Sequence, residues 1–163
     1  MNGRILIPVD GSEQSLRALD VAADLASALR ATLIVCHVAD IARVAAMTFG
    51  EPQFAQECFD AVRAEGASML KEAVERAQRR VDGVESQIGR GNVVDEILRL
   101  ATEAGAEWIV MGSHGRSGLS RLLMGSVAEG VLRHSTVPVM IVPPDRQSRK
   151  RPHVPAGAEA RPL

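Results

Sequence analysis

Aromatic residues are scarce in this chain, which has 163 residues, 2% of them aromatic, and no tyrosine. Proteins that bind single-stranded nucleic acids stack the bases on aromatic side chains, and this chain has too few aromatic residues for such stacking. The formal net charge of -1 also argues against a chain that coats a polyanion. We therefore expect no nucleic-acid partner and a core built from aliphatic side chains.

Cysteines and long apolar runs are also few. Cys36 and Cys58 are the only cysteines, and neither has the CxxC or Cys/His spacing of a metal site, so we expect reduced thiols and no metal framework. The first apolar run, from Arg4 to Val9, is too short for a signal peptide, and no run reaches the length that spans a bilayer. These features predict a cytoplasmic protein with no membrane segment.

Short apolar runs alternate with segments of helical periodicity between residues 4 and 143. The runs predict five strands, at 4–9, 31–38, 84–88 and 107–111 and from Val137 to Val142, and Trp108 is expected in the core. Four helices are expected between them, and 39–52 is expected to be a loop. Because parallel strands need crossover connections that bury both sheet faces, the alternation predicts a doubly wound, Rossmann-like α/β domain.

The composition changes after this single domain, whose expected limits are residues 1 and 143. The segment from residue 143 onward contains five of the eight prolines and the basic group Arg149-Lys150-Arg151, but almost no apolar periodicity. Such a segment cannot recover its ordering entropy by burial. We expect residues 144–163 to form a basic, proline-rich, disordered tail.

Glycines follow the fourth predicted strand, as Gly112-Ser113-His114-Gly115 and then Gly125-Ser126. Ligands of parallel sheets bind outside the carboxyl ends of the strands. Glycine lets backbone amides approach phosphate oxygens, and a helix start adds unpaired donors. Ser126 with Glu129 also has the spacing of a capping box, so both N-capping and phosphate binding are open to Ser126.

Two better-known nucleotide signatures are missing from the sequence. It contains no GxxxxGK[ST] segment, and Gly89-Arg90-Gly91 does not continue as GxGxxG because Val94 occupies the third glycine position. The sequence therefore supports neither a P-loop NTPase nor a dinucleotide-dependent oxidoreductase.

The chain resembles the universal stress protein family. The resemblance is carried by the segment from Ile5 through Pro8, Val9 and Asp10 to Ser12, and by Val110-Met111-Gly112-Ser113-His114-Gly115-Arg116 followed by Gly125-Ser126-Val127. It covers residues 4 to about 143. It implies a five-stranded parallel sheet of order 3-2-1-4-5, in which the first and fourth strands are neighbours and Asp10 lies near Gly112.

The resemblance also implies an adenine-nucleotide site of the ATP-binding subgroup, whose motif is Gly, two residues, Gly, nine residues, Gly-Ser. It places Asp10 and the backbone of Val38 at the adenosine, with Pro8 and Val9 beside the adenine. The ribose and phosphates would meet the remaining residues of the motif: Gly112, Ser113, Gly115, Gly125, Ser126 and Val127. Arg116 is either a ligand of the outer phosphates or a solvated surface residue. ATP is the expected ligand, AMP or cyclic AMP are alternatives, and Mg²⁺ would accompany the nucleotide.

The function that the resemblance implies is that of a regulatory, stress-response homodimer, paired through the exposed edge of the fifth strand. A slow ATP hydrolase is one alternative, although Arg116 and His114 are its only candidates and we assign no catalytic residue. The other alternative is an interaction module that works without a nucleotide. His37, His134 and His153 are expected to serve structure, since they share no metal-ligand spacing. His114 occupies a spacer position of the glycine motif, so we expect it to serve loop structure rather than catalysis.

Overall fold

The computed structural model describes residues 3–48, 52–115 and 124–144, without the side chains of residues 52, 53 and 55. Its strands are β1 (Arg4–Pro8), β2 (Thr32–Asp40), β3 (Val84–Gly91), β4 (Trp108–Gly112) and β5 (Val139–Val142). Its helices are α1 (Glu13–Leu29), α2 (Ile41–Met47), α3 (Pro52–Gln78), α4 (Val93–Glu103) and α5 (Ser126–His134). The predicted alternation of strands and helices is confirmed.

The five strands form one parallel sheet in the order β3-β2-β1-β4-β5, as the resemblance implied. From β1 the chain steps outward to β2 and β3, whereas β4 returns to the other side of β1 and leads to β5. β1 and β4 pair through Ile5 with Trp108 and Leu6 with Ile109. A crevice opens at the carboxyl end of such a reversal point, because the neighbouring connections run in opposite directions.

Helices cover both faces of the sheet. Alternate residues of β1 point to opposite faces, so that Ile5 and Ile7 enter a core with α1 and α3, and Leu6 enters a second core with α4 and α5. Ala18, Ala22 and Ala26 of α1 are all fully buried, and their small side chains let the helix lie close to the sheet. With both faces covered, the strand ends are the remaining place for a ligand.

Residues 39–47, predicted as part of a loop, instead end β2 and form α2, so the prediction of four helices was wrong and the described residues contain five. β2 continues to Asp40, whose carboxylate caps α2 by accepting a hydrogen bond of 2.8 Å from the amide of Ala42. α3 then begins at Pro52. Proline is favoured in a first helical turn, because the N–H that it lacks would have no hydrogen-bond partner within the helix. A helix of seven residues is too short to show a clear apolar period.

Two further expectations about strands need correction. β5 begins at Val139 rather than at Val137. Trp108 is not a core residue: 39% of it is exposed, because it is the first residue of β4, and the buried part of that strand begins with Ile109. Within the described ranges, no helix combines the length and apolar character required to cross a bilayer.

Candidate functional site

A cavity of about 330 Å³ opens at the carboxyl edge of the sheet, where β1 and β4 meet. It is bounded by the ends of β1, β2 and β4, by the start of α5, and by side chains from α2, α3 and α4. Its lining includes many residues that the glycine motif and the resemblance had indicated: Pro8, Val9, Asp10, Val38, Gly112, Gly115, Gly125, Ser126 and Val127. Residues far apart in the sequence thus share one cavity.

Two of the predicted site residues are not in this lining. Ser113 is buried behind it, where its carbonyl accepts a hydrogen bond of 2.8 Å from the amide of Gly125 and its Oγ lies 2.9 Å from Nδ1 of His114. Ser113 therefore links the two halves of the glycine motif. Arg116 lies outside the described residues.

The turn after β1 orients Asp10. Its Oδ1 accepts hydrogen bonds from the amide of Ser12, at 3.0 Å, and from the Ser12 hydroxyl, at 2.6 Å. Gly11 between them has a φ of 79°, which only glycine adopts without strain. The Ser12 hydroxyl also accepts from the amide of Ser15 and so caps α1. The carboxylate of Asp10 is therefore held by the same contacts that start the helix.

β2 extends further toward the cavity than β1 does. The carbonyl of Cys36 faces β1 and accepts from the amide of Val9, at 2.8 Å. Backbone groups of alternate residues face the same neighbour, so the N–H and C=O of Val38 point to the side of β1 as well. β1 pairs with β2 only as far as Pro8, and in the described part of the chain no strand pairs with that side of Val38. The N–H donor and the C=O acceptor of Val38 are therefore both open toward the cavity.

The glycines of the motif lie in close packing. A Cβ atom at Gly115 would lie 2.5 Å from Oδ2 of Asp10, and one at Gly112 would lie 3.1 Å from the carbonyl oxygen of Gln14. At Gly125 the nearest atom would be the carbonyl oxygen of Ser113, at 3.3 Å. The motif therefore lets β4, the Asp10 turn and α5 approach one another around the cavity.

Ser126 is not the N-cap of α5, so N-capping, one of the two roles left open for it, is excluded. Gly125 occupies the cap position with extended backbone angles, because its amide is held by the Ser113 carbonyl, and Ser126 is the first helical residue. Side chains cap α1, α2 and α4, but within the described residues none caps α5. The first amides of α5 therefore remain available to an anion, which the helix dipole also favours.

The universal stress protein family matches this chain over residues 1–143. The chain belongs to that family. It is 36% identical over 147 residues to the universal stress protein YxiE of Bacillus subtilis, a match that covers 87% of this chain and 99% of YxiE. The resemblance noted in the sequence is therefore confirmed at the level of the family.

Solved structures of other family members share the fold of this universal stress protein. The structure of MJ0577, a universal stress protein of Methanocaldococcus jannaschii, matches with a TM-score of 0.75 and 28% identity, covering 89% of this chain and 98% of the other. A universal stress protein in complex with cAMP matches with a TM-score of 0.63 and 30% identity, over 86% of this chain and 95% of the other.

The universal stress protein cavity has one wall that sequence reasoning missed. This wall comes from Asp40 at the end of β2 and from α2, α3 and α4, which contribute Arg43, Val62, Val93 and Ile97. Its one local signal is an aspartate at Asp40 followed by a short apolar run, a common helix start. His114 also lines the cavity, and its Nε2 is buried without a hydrogen-bond partner among the described residues. An orphaned buried nitrogen of this kind is commonly satisfied by water or a ligand.

Proposed function

We propose that this universal stress protein binds an adenine nucleotide at the carboxyl edge of its sheet, with ATP as the foremost ligand and AMP or cyclic AMP as alternatives. The observation that carries the proposal is the convergence on one cavity of the Val38 peptide edge, the Asp10 carboxylate and the uncapped start of α5. These groups suit a base, a ribose and phosphates, respectively. The volume of about 330 Å³ falls within the range of about 300–1,000 Å³ for small-molecule sites.

The base would bind at the end of β2. Adenine presents an amino donor at N6 beside an acceptor at N1, and the C=O and N–H of Val38 offer the complementary pair. Guanine and hypoxanthine present the opposite pattern, with an acceptor at O6 and a donor at N1. Pro8, Val9 and Val62 supply apolar surface next to this edge, so the site would favour adenine over the other purines.

The ribose and phosphates would bind between the first turn and α5. The Asp10 carboxylate is an acceptor suited to ribose hydroxyls. The amides at Gly115, Ser126 and Val127 would receive phosphate oxygens, as helix starts commonly do. Gly112 lines the cavity beside them, Ser113 would hold the cradle together through its hydrogen bond with Gly125, and we propose Arg116 as a ligand of the outer phosphates. On the basis of this motif, we propose that the chain belongs to the ATP-binding subgroup of the family.

A relative's ligand supports this assignment. The family member solved with cAMP shares 30% identity with this chain, and cAMP contains the adenine, ribose and phosphate that the cavity groups suit. Among the described residues, no three His, Cys, Asp or Glu side chains are grouped to hold a metal ion. Mg²⁺ is commonly bound through one or two carboxylates together with substrate phosphates, so we propose that Mg²⁺ enters with ATP.

We further propose that nucleotide occupancy regulates a homodimer in a stress response. β5 is an edge strand of the sheet, and its outward backbone groups would pair with a second copy of the same strand. Because β4 lies between β5 and β1, the strand that ends in Gly112 would connect the dimer edge with the nucleotide site.

The experiment that tests this function begins with the purified protein. Denaturation followed by mass spectrometry identifies any nucleotide that co-purifies, and ATP, AMP and cyclic AMP are then titrated into nucleotide-free protein and into Gly115→Val. We expect saturable binding by the wild type and weakened binding by the variant. Wild-type protein that shows no saturable binding of any of the three would refute the proposal.

Phosphate release under the same conditions separates binding from hydrolysis. We expect slow turnover or none, because no residue has been assigned to orient water or to stabilise the transferred phosphoryl group. If turnover is measurable, Arg116→Ala tests the proposed contact with the outer phosphates. Turnover that is unchanged in this variant would remove Arg116 from the reaction.

A further inference from the structure

The end of β1 interrupts a regular ladder with β2. The amide of Val9 still donates to the carbonyl of Cys36, and the next bond of a parallel ladder would run from the Val38 amide to the Val9 carbonyl. The described residues do not form that bond. The Val9 carbonyl lies instead 2.8 Å from Nδ1 of His37. The hydrogen-bond partner of the Val9 carbonyl is thus the imidazole of His37 instead of the backbone N–H of Val38, the next residue in the chain.

The surroundings of His37 fix the imidazole in this position. The residue is only 8% exposed and also contributes to the cavity lining. A carbonyl oxygen only accepts, so Nδ1 must carry the proton of this hydrogen bond. On the other side of the ring lies Gly66 of α3, where a Cβ atom would stand 2.7 Å from Nε2. The imidazole is therefore packed between the Val9 carbonyl and a gap in α3 that only glycine leaves open.

We propose that His37 is a positioning residue for base recognition: by binding the Val9 carbonyl, it keeps the Val38 amide open to the nucleotide. Without this imidazole, the carbonyl is free to close on the Val38 amide and continue the ladder by one bond. That bond would remove the donor that meets N1 of adenine. The inference rests on the proposed function, since Val38 selects a base only if an adenine nucleotide occupies the cavity.

A matched pair of variants isolates the hydrogen bond. His37→Asn keeps an N–H donor close to the position of Nδ1, whereas His37→Leu has nearly the same size and branching but no donor. Calorimetry gives the dissociation constants of ATP and of ITP, whose hypoxanthine base opposes the Val38 amide with a donor at N1. We expect the wild type to prefer ATP, His37→Leu to lose about tenfold of that preference, and His37→Asn to retain most of it.

The outcomes distinguish this inference from the function on which it rests. A wild type that binds neither nucleotide overturns both proposals. A wild type that prefers ATP, with the same ATP-to-ITP ratio in His37→Leu, overturns the role of His37 alone. If the ATP-to-ITP ratio falls equally in His37→Asn and His37→Leu, the role of His37 is overturned as well. A purely structural role would lower thermal stability, or weaken both ligands alike, without changing the ratio.

A substitution in α3 tests the same hydrogen bond between His37 and the Val9 carbonyl. Gly66→Ala raises helix propensity, but its Cβ must displace the imidazole, so we expect the ATP-to-ITP ratio to fall as in His37→Leu. Circular dichroism checks that each variant is folded, and Gly66→Ala decides the question if His37→Leu does not fold. A folded Gly66→Ala protein with the ratio of the wild type would contradict the proposal.

Discussion

Asp10 occupies the space that a side chain at residue 115 would need, since its Oδ2 lies 2.5 Å from the position of a Cβ atom there. This contact joins the turn after β1 to the glycine segment after β4. We expect Gly115→Ala to displace the carboxylate and to weaken ATP binding at least about tenfold, because a contact shorter than the van der Waals limit cannot be kept. Calorimetric titration with ATP measures the change.

Gly83→Ala is the matched control for this substitution. Gly83 is exposed, and the nearest atoms to its added Cβ would be Thr32 Oγ1 at 3.6 Å and Thr32 Cα at 3.7 Å, which are ordinary contacts. This variant should bind ATP as the wild type does. If Gly115→Ala and Gly83→Ala bind equally well, the contact with Asp10 does not shape the site.

The outer side of β5 gives a test of dimerisation. The amide of Ile109 donates to the carbonyl of Pro138, and the amide of Ser113 to that of Val142, so these carbonyls face β4 and the backbone of Val139 faces outward. Val139→Pro removes this outward N–H without breaking the bonds to β4. We expect the protein to become monomeric in sedimentation velocity runs, with its circular dichroism unchanged.

Val139→Ala serves as the control for the edge strand, because it shortens the same side chain but keeps the backbone N–H. It should sediment as the wild type does at equal concentration. A dimer that persists in Val139→Pro would show that copies of the chain associate through another surface.

The two cysteines should differ in reactivity. Cys36 is fully buried in β2, and burial raises the pKa of its thiol to about 12, whereas Cys58 of α3 is half-buried. Because the thiolate is the reactive form, one thiol should react with a disulfide reagent in the native protein at pH 8, and both after denaturation. In Cys58→Ser the native reaction should disappear; a fast reaction there would mean that Cys36 is accessible.

An ion pair between α1 and α3 should make stability depend on acid pH. The hydrogen bond from Arg76, at 2.6 Å, holds the pKa of Asp20 below its usual value. A lowered folded-state pKa contributes stability above the unfolded pKa of about 3.9, and this contribution is lost as pH falls through the lowered value. Since both side chains are partly exposed, Asp20→Asn should cost only about 0.5–1 kcal/mol at pH 7.

Urea unfolding of both proteins at several pH values measures this effect. The difference between wild type and Asp20→Asn should shrink as the pH falls below about 4. Arg76→Gln should cost no more than Asp20→Asn, because Arg80 stays 3.5 Å from Asp20, and the double variant should cost little more than Asp20→Asn alone, because Asp20→Asn already removes the pair with Arg76. Additive losses would show that the two side chains act independently.

Some features of the site were accessible from the sequence and others were not. The glycine spacing pointed to the loop after β4, and the resemblance to universal stress proteins brought in Asp10 and Val38. The wall that contains Arg43 was missed, since the seven residues of α2 are too few to show a period. The local pattern left N-capping open to Ser126, but the cap position belongs to Gly125, whose amide donates to the carbonyl of Ser113.

The alternation of strands and helices could be read from the amino-acid sequence, because apolar periodicity reflects which face of each segment is buried, and neighbouring residues carry that information. The resemblance then supplied the strand order. The packing of Asp10 against Gly115, and the hydrogen bond between the His37 imidazole and the Val9 carbonyl, are visible only in the folded chain. Such contacts depend on where the sheet places the ends of different strands, and no local pattern of residues encodes those distances.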